Sequence, residues 1–488
     1  MDFKKKYTLF ILSLLLNIPF IVNAQWQQIG ADIDGDTAYE YFGRAMNLSP
    51  DGSVVAVGSQ ANPKNSFSSF VRCYRNNTGN WESLGNDIAT VNGDNSDAIA
   101  LSANGSIIAI GSIRDGVVGG QSNYDGHVKV FELIANNWEQ IGNDIEGTGA
   151  ENSGAAISIS SDGSVLAIGA HFNDENGNDA GQVRIYRNNA GNWEQIGENI
   201  SGDAAFDNFG FTVDLNVDGS VLAIGAPFHN NNSGQTKIYQ NIDDNWEQVG
   251  SNILGQALDV SGYSVSINDD GSVIAISSLG NGQVKIFQNN ANNWEQIGNN
   301  IIGEEEDSLF GVSISLSANG SVLAIGASRN SGNGFRAGHT QVYKNNAGSW
   351  QQLYDDIDGE AVEDNFGETV SLSANGGIVA VSGFLNDGNG FQAGHVQVFE
   401  DNNLGVATNG LSESIISVFP NPSNGQFHIK TNVSYRLSII DISGKLVYSK
   451  SIDKNAATIR LQNVLSSGLY FINFKSTTQN FTIKHIVE

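Results

Sequence analysis

The 488 residues include one cysteine, Cys73, two methionines and six prolines. A single cysteine excludes an intramolecular disulfide, so in an oxidising compartment the fold must be held by packing and strand pairing. Basic residues are scarce as well, 24 Lys and Arg against 52 Asp and Glu, for a net charge of −28. Helical periodicity is absent between Gln25 and Asp401, and no apolar run beyond residue 24 is long enough to cross a bilayer. HExxH, CxxC and GxSxG motifs are missing, so the sequence supplies no zinc site, nucleophile elbow or cysteine–histidine pair. No catalytic residue is assigned, and an enzyme is not the expected class.

The first 24 residues combine Lys4, Lys5 and Lys6, an apolar run from Tyr7 to Val22 and a small-residue end at Ala24. This pattern predicts a signal peptide over 1–24, cut between Ala24 and Gln25. Residues 410–488 are net basic, which leaves the middle of the chain with 13 basic and 47 acidic residues. A surface that negative repels phosphate backbones and anionic headgroups, which excludes nucleic acid as a partner.

All seven tryptophans recur in one setting: Trp26, Trp81, Trp138, Trp193, Trp246, Trp294 and Trp350, each followed by Glu or Gln and spaced 48 to 57 residues apart. A period near 50 built from short alternating runs and Gly/Asn/Asp turns predicts four strands per unit, the blade of a β-propeller. One unit reads FGFTVDLN, SVLAIGA, GQTKIYQN and WEQVG between Phe209 and Gly250, here strands A to D. Strand B is continuously apolar, as for a strand buried on both faces, while C alternates with Lys, Arg or Gln. The repeat begins with a lone D strand at Trp26 and ends with a lone C strand at Gly394–Asp401. The two ends therefore belong to one blade, and the expectation is an all-β, seven-bladed propeller over 25–402 whose N-terminal strand closes the last blade. The tryptophans are read as packing residues that cover the gap between blades.

These units resemble the FG-GAP propeller repeat of integrin α heads, through Phe42-Gly43, Phe209-Gly210, Phe310-Gly311 and Phe366-Gly367, and GAP at Gly225–Pro227. Blades two, three and five depart from it, with Ser96-Asp97, Ser153-Gly154 and Ser261-Gly262. The integrin-type calcium loop is missing as well. Here the A-to-B link is a tight SPDG or SSDG turn with at most one carboxylate, whereas calcium takes six to eight oxygens. No cofactor is required and calcium is left open. The same turn resembles that of WD40-like periplasmic propellers. The Asp boxes of propeller sialidases are not matched.

The segment from 413 to 488, after a linker at 403–412, resembles the type A sorting domain of the type IX secretion system of Bacteroidetes. The resemblance rests on VFPNPSNGQFHI with Pro420, Asn421, Pro422 and Gly425, on ISGKLVYS with Gly444 and Lys445, and on SSGLYFINF with Gly468 and Tyr470. It implies a small immunoglobulin-like β-sandwich, passage across the outer membrane, and removal by a sortase. The implied partners are the type IX machinery and its sortase.

In an antiparallel blade the B-to-C and D-to-A connections share one face, and here they are long. Ser59–Ser69, His171–Ala180, Ala327–Ala337 and Phe384–Ala393 make that face the default binding surface, with loop candidates Asp174, Asp179, Arg336 and Asp387. Asp174 and Asp179 are the weak metal candidates, although the same residues build plain turns. His127, His339 and His395 stand where other blades carry Gln182, Gln235 or Gln283, which points to a structural hydrogen-bonding role. The expected function is a monomeric exported binding or adhesion protein with a glycan or surface-protein ligand. A polysaccharide hydrolase or lyase, or a structural envelope or gliding component, is the alternative.

Overall fold

In the computed structural model, residues 25–401 are described apart from 61–68, 90–94, 114–116, 119–120, 123 and 306, together with the strands between 416 and 487. The proposed signal peptide, its cleavage residue Ala24, the linker and residues 61–68 of the Ser59–Ser69 loop lie outside the described residues. The chain divides into two compact units, Met1–Leu404 and Gly405–Glu488.

The first unit consists of seven five-stranded antiparallel sheets and a two-stranded ribbon that pairs Val117–Val118 with Gln121–Ser122. Blade 4 is representative, with A at Thr212–Leu215, B at Val221–Ala226, C at Gln235–Ile242 and D at Asn245–Gln248. Blade 7 takes strands A to C from Val370–Leu372, Ile378–Gly383 and His395–Asp401, and its outer strand from Trp26–Gln28. Trp26 pairs with Asp401 and Gln28 with Phe399, so the expected closure is present. Among the described residues the helical segments are a turn at His229–Asn232 and a 3-10 turn at Leu279–Asn281, and no described helix is long and apolar enough to cross a membrane.

The outer strand, expected as one run, is broken in two. After Gln248 the chain turns at Gly250, and Ile253–Leu254 pairs again with the start of strand C. The break exists because the next blade's indole packs there: a Cβ on Gly250, φ +74°, would lie 2.6 Å from Asn292 O and 3.1 Å from Trp294 Cδ1. Only glycine combines that left-handed backbone with so close an approach. Trp81, Trp138, Trp193 and Trp294 each donate their indole N–H to a carbonyl of the preceding blade, at Ile29, Leu84, Ile141 and Val249. At the closing seam Tyr354 stands in the glycine position with φ 71°. Its ring meets Trp26 edge-on at 6.3 Å and its hydroxyl donates to Asp401 at 2.9 Å.

Packing is divided among seven interblade cores. Between blades 3 and 4, for example, Val165, Ala167, Val183 and Ile185 face Val213, Leu215, Leu222 and Ile224. The core between blades 7 and 1 is built alike, from Ile29, Ile33, Val396 and Val398 against Met46, Leu48, Val55 and Val57.

Strand A lines the axis and leaves one edge without a strand partner. Side chains of the preceding blade satisfy it. Leu48 N–H donates to Ser371 Oγ, Leu101 to Asn47 Oδ1, Leu215 to Ser158 Oγ, Ile267 to Asp214 Oδ2, Leu316 to Ser266 Oγ and Leu372 to Ser315 Oγ, at 2.8–3.1 Å. These acceptors occupy one position in successive blades, where blade 2 carries Ala100. Below this girdle a hoop of backbone bonds joins the A-to-B turns: Asp51 to Ala103, then Ser161, Val217, Asp269, Ala318, Ala374 and back to Pro50. Pro50 has no N–H, so Asp51 donates in its place.

The second unit carries two antiparallel sheets. One orders Ile416–Phe419, His428–Thr431 and Ile459–Arg460; the other orders Leu446–Ile452, Tyr435–Asp441, Gly468–Lys475 and Asn480–Val487. Of the motif residues, Pro420, Asn421, Pro422, Gly425 and Gly444 lie outside the described residues. Lys445 is exposed just before a strand, while Gly468 and Tyr470 lie within one.

Candidate functional site

The two faces of the propeller differ in what their polar groups are free to do. On the short-turn face the A-to-B turns use their own carboxylate or amide internally: Asp51 Oδ1 accepts from Ser49, from Ser53 Oγ and from Ser53 N–H, and Asn104, Asn319 and Asn375 accept in the same way in blades 2, 6 and 7. The hydrogen bonds from Ser220 and Ser272 hold the Asp218 and Asp270 carboxyls below the usual range.

On the other face the loop candidates are also engaged. Asp174 Oδ1 accepts Asp179 N–H at 2.8 Å, Asp387 Oδ1 accepts Gln392 N–H at 2.7 Å, and Ser331 Oγ accepts Arg336 N–H at 3.2 Å. Asn176, Asn333 and Asn389 pin the same loops to Gly202, Gly359 and Gly35 of the following D-to-A connection. The three loops are therefore copies of one self-capped turn. Asp174 and Asp179 are not among the described groups of three ligand atoms lying within 4.8 Å of one another. Those are Asp32, Asp34 and His395; His339, Asp356 and Asp358; and Asp203, Asp207 and His229.

Two of these groups have a plainer meaning. His339 Nδ1 lies 3.1 Å from Asp356 and His395 Nδ1 3.7 Å from Asp32. In blades 4 and 5 the same two positions are Gln235 with Asn252 and Gln283 with Asn300, hydrogen-bonded at 3.1 and 2.7 Å. Where strand C carries histidine the outer strand carries aspartate; where it carries glutamine, asparagine. Sequence reading found the first half of this exchange and missed the second, whose signal is the Asp/Asn two residues after the outer-strand glycine. The adjacent His395 ring, together with hydrogen bonds from Gln397 and Gln28, holds the Asp32 carboxyl down at about 2, despite burial. In the third group, Lys237 pairs with Asp203 at 2.7 Å and His229 with Asp207 at 2.9 Å.

Buried acids also organise the D-to-A loops. Glu40, Glu151, Asp207, Asp259 and Asp364 precede the left-handed residue before strand A, and each accepts a backbone N–H from its own loop. The Asp of the DNFG pattern is thus a turn acid rather than a solvent-facing ligand.

This face also leaves large apolar side chains uncovered. Phe206, Leu258, Phe335, Val362 and Phe391 are 54–67% exposed. Phe391 stacks edge-on with Tyr39 at 5.2 Å, and Phe335 O accepts from Glu363 N–H beside Val362. Tyr39, Phe206 and Leu258 have φ of 63°, 67° and 66°. Large apolar side chains in left-handed backbone cost about 1–2 kcal/mol each and bury little in return.

A single carboxylate faces the axis at the girdle. Burial, partly offset by bonds from Ile267 N–H and Ser158, pushes the Asp214 carboxyl up to about 7. It lines the axial channel, a space of about 210 Å³, where its side chain is half-buried. Sequence reading passed over it, although it is the one acid in a position otherwise held by Ser, Asn or Ala. Cys73 is fully enclosed, and burial pushes its thiol far up.

Residues 417–488 match the family model of the secretion system C-terminal sorting domain, which identifies that segment as a type IX sorting domain. No curated protein matches the chain. Among solved structures, the periplasmic gluconolactonase PpgL of Pseudomonas aeruginosa is similar at 13% identity over 84% of this chain and 99% of its own, TM-score 0.48. A putative 6-phosphogluconolactonase from Bacteroides uniformis is similar at 18% identity over 65% and 86%, TM-score 0.47. The Cps50 (Swd1) β-propeller domain of Myceliophteria thermophila is similar at 10% identity over 77% and 99%, TM-score 0.48. Likenesses this distant say nothing of activity.

Proposed function

We propose that this chain is an exported binding protein that works outside the cell through the long-loop face of its propeller, with a glycan or a surface protein as ligand. The sorting segment supports export across the outer membrane to the surface or beyond. We read it as a type A domain with an immunoglobulin-like sandwich, removed by a sortase, and the blades as FG-GAP-like. The observation that carries the binding half is the exposed apolar rim, in which Phe206 and Leu258 are held in left-handed backbone, since strain retained at an exposed position points to function rather than stability.

The test is a trade-off. In the purified full chain, Leu258→Asn relieves the strain, because asparagine tolerates φ +66°. It raises stability by about 1 kcal/mol, and with Phe206→Asn it weakens retention on a polysaccharide and cell-surface panel at least fivefold. Unchanged retention in the double variant overturns the reading.

A further inference from the structure

Between blades 4 and 5 the flank of the ring opens into a groove of about 570 Å³. One wall is the second half of blade 4's outer strand, Ile253–Leu254, with Gln256 and Asp259 of the D-to-A connection that follows it. The other is strand C of blade 5, Gln283–Asn290, through Gln283, Lys285 and Phe287, with Trp294 of the outer strand beside it. The Trp294 indole is fixed by its bond to Val249 O at 3.0 Å, so the aromatic part of the wall is preformed.

Charge in this groove cancels internally. Lys285 and Asp259 are the charged residues of its lining; Lys285 Nζ lies 3.2 Å from Asp259 Oδ2, and Asp259 Oδ1 accepts Asn281 Nδ2 at 2.6 Å. Its amides do not cancel. Gln182, Gln235 and Gln283 hold one position in blades 3, 4 and 5. Gln182 Nε2 donates to Glu175, and Gln235 Nε2 to Asp203 at 3.2 Å. Gln283 accepts from Asn300 at 2.7 Å, but its Nε2 has no acceptor among the described residues. The reason is in the sequence: after Gly255 stands Gln256, where Asp203 follows Gly202 at the preceding seam. The exposed Gln256 amide has no partner among the described residues either.

The groove continues past blade 5. Asn300 also lines a groove of about 380 Å³ between blades 5 and 6, against Tyr343 and Trp350. A hollow of about 700 Å³ on the long-loop face meets the first groove at Asn281 and the second at Ile302, and carries Glu304, Glu305 and Asp307. Open amides match the paired hydroxyls of a sugar, and aromatic walls match its C–H face. The acids of the hollow repel an anionic one.

Building on the proposed function, we infer that this track around blade 5 binds a chain of uncharged hexoses. Gln283 and Gln256 hold hydroxyls of one unit in the first groove, with its ring against Phe287 and Trp294, and the chain runs on over Asn300 to the second groove.

Calorimetric titration of the purified full chain with cellohexaose, laminarihexaose, mannohexaose and hexagalacturonate tests this. At least one neutral hexaose binds, its disaccharide binds about tenfold or more weakly, and hexagalacturonate binds more weakly than the neutral hexaose. Gln283→Ala and Gln256→Ala each weaken the hexaose about tenfold at unchanged melting temperature, as the loss of a hydrogen bond to ligand should. Gln256→Asp, which gives Gln283 the acceptor that Gln235 has in Asp203, weakens binding as much without lowering the melting temperature. No binding by any neutral hexaose, a disaccharide or hexagalacturonate bound as tightly, or indifference to all three variants overturns the inference. Polysaccharide retention that falls with Phe206→Asn and Leu258→Asn, with no hexaose binding, sinks this inference and leaves the proposed function standing. Retention indifferent to that pair and to the glutamine variants alike sinks the proposed function.

Discussion

Replacing Asp214 with asparagine separates the girdle's hydrogen bonding from its charge. In the native state the carboxyl titrates near 7 instead of 3.8, because burial disfavours the anion. The folded protein therefore binds this proton more tightly than the unfolded chain does. The stability this contributes is complete below pH 3.8 and fades as pH rises through about 7, above which the fold carries a buried anion. A shift of roughly three pH units corresponds to about 4 kcal/mol, and channel water reduces it to about 2–4 kcal/mol. Asparagine preserves the girdle, since Asn47 already accepts Leu101 N–H in this position at 3.1 Å. Urea denaturation of native chain and D214N at pH 3.5 and pH 8.5 is the assay. The two proteins are expected to match at pH 3.5, and D214N to be more stable by about 2–4 kcal/mol at pH 8.5. An equal difference at both pH values, or none at either, refutes the reasoning.

The His–Asp exchange predicts that His339→Gln and Asp356→Asn each destabilise blade 6, while the double variant regains at least half of the loss, a coupling of about 1 kcal/mol in a double-mutant cycle. Asp32, titrating near 2, contributes stability that is present above its unfolded value of 3.8 and lost as pH falls towards 2; Asp32→Asn should flatten acid unfolding over that window. At the seam, Trp26→Ala should cost about 3–5 kcal/mol, and Tyr354→Phe about 1 kcal/mol through the lost bond to Asp401, both read by denaturation. Cys73 should resist thiol reagents until the ring unfolds, as mass spectrometry of labelled protein would show.

The blades were legible because the pleat imposes a two-residue alternation and the outer-strand tryptophan marks the phase of every unit. Ring closure followed from that phase alone, since Trp26 and strand His395–Asp401 each lack what the other supplies. The girdle was not legible, because a serine in strand A looks like ordinary small-residue packing until six neighbouring blades place it against a backbone N–H. Asp174 and Asp387 stood out as ligand candidates by residue type, yet their oxygens cap their own loops, which composition cannot reveal.

The central claim, that the long-loop face is the working surface, is tested most directly by a hydrogen-exchange footprint of the full chain bound to whichever polysaccharide retains it. Protection is expected in 171–181, 202–211, 255–263, 328–338 and 384–394, the B-to-C and D-to-A connections. Protection confined to the A-to-B turns at 49–53, 160–164 and 317–321 would contradict the account.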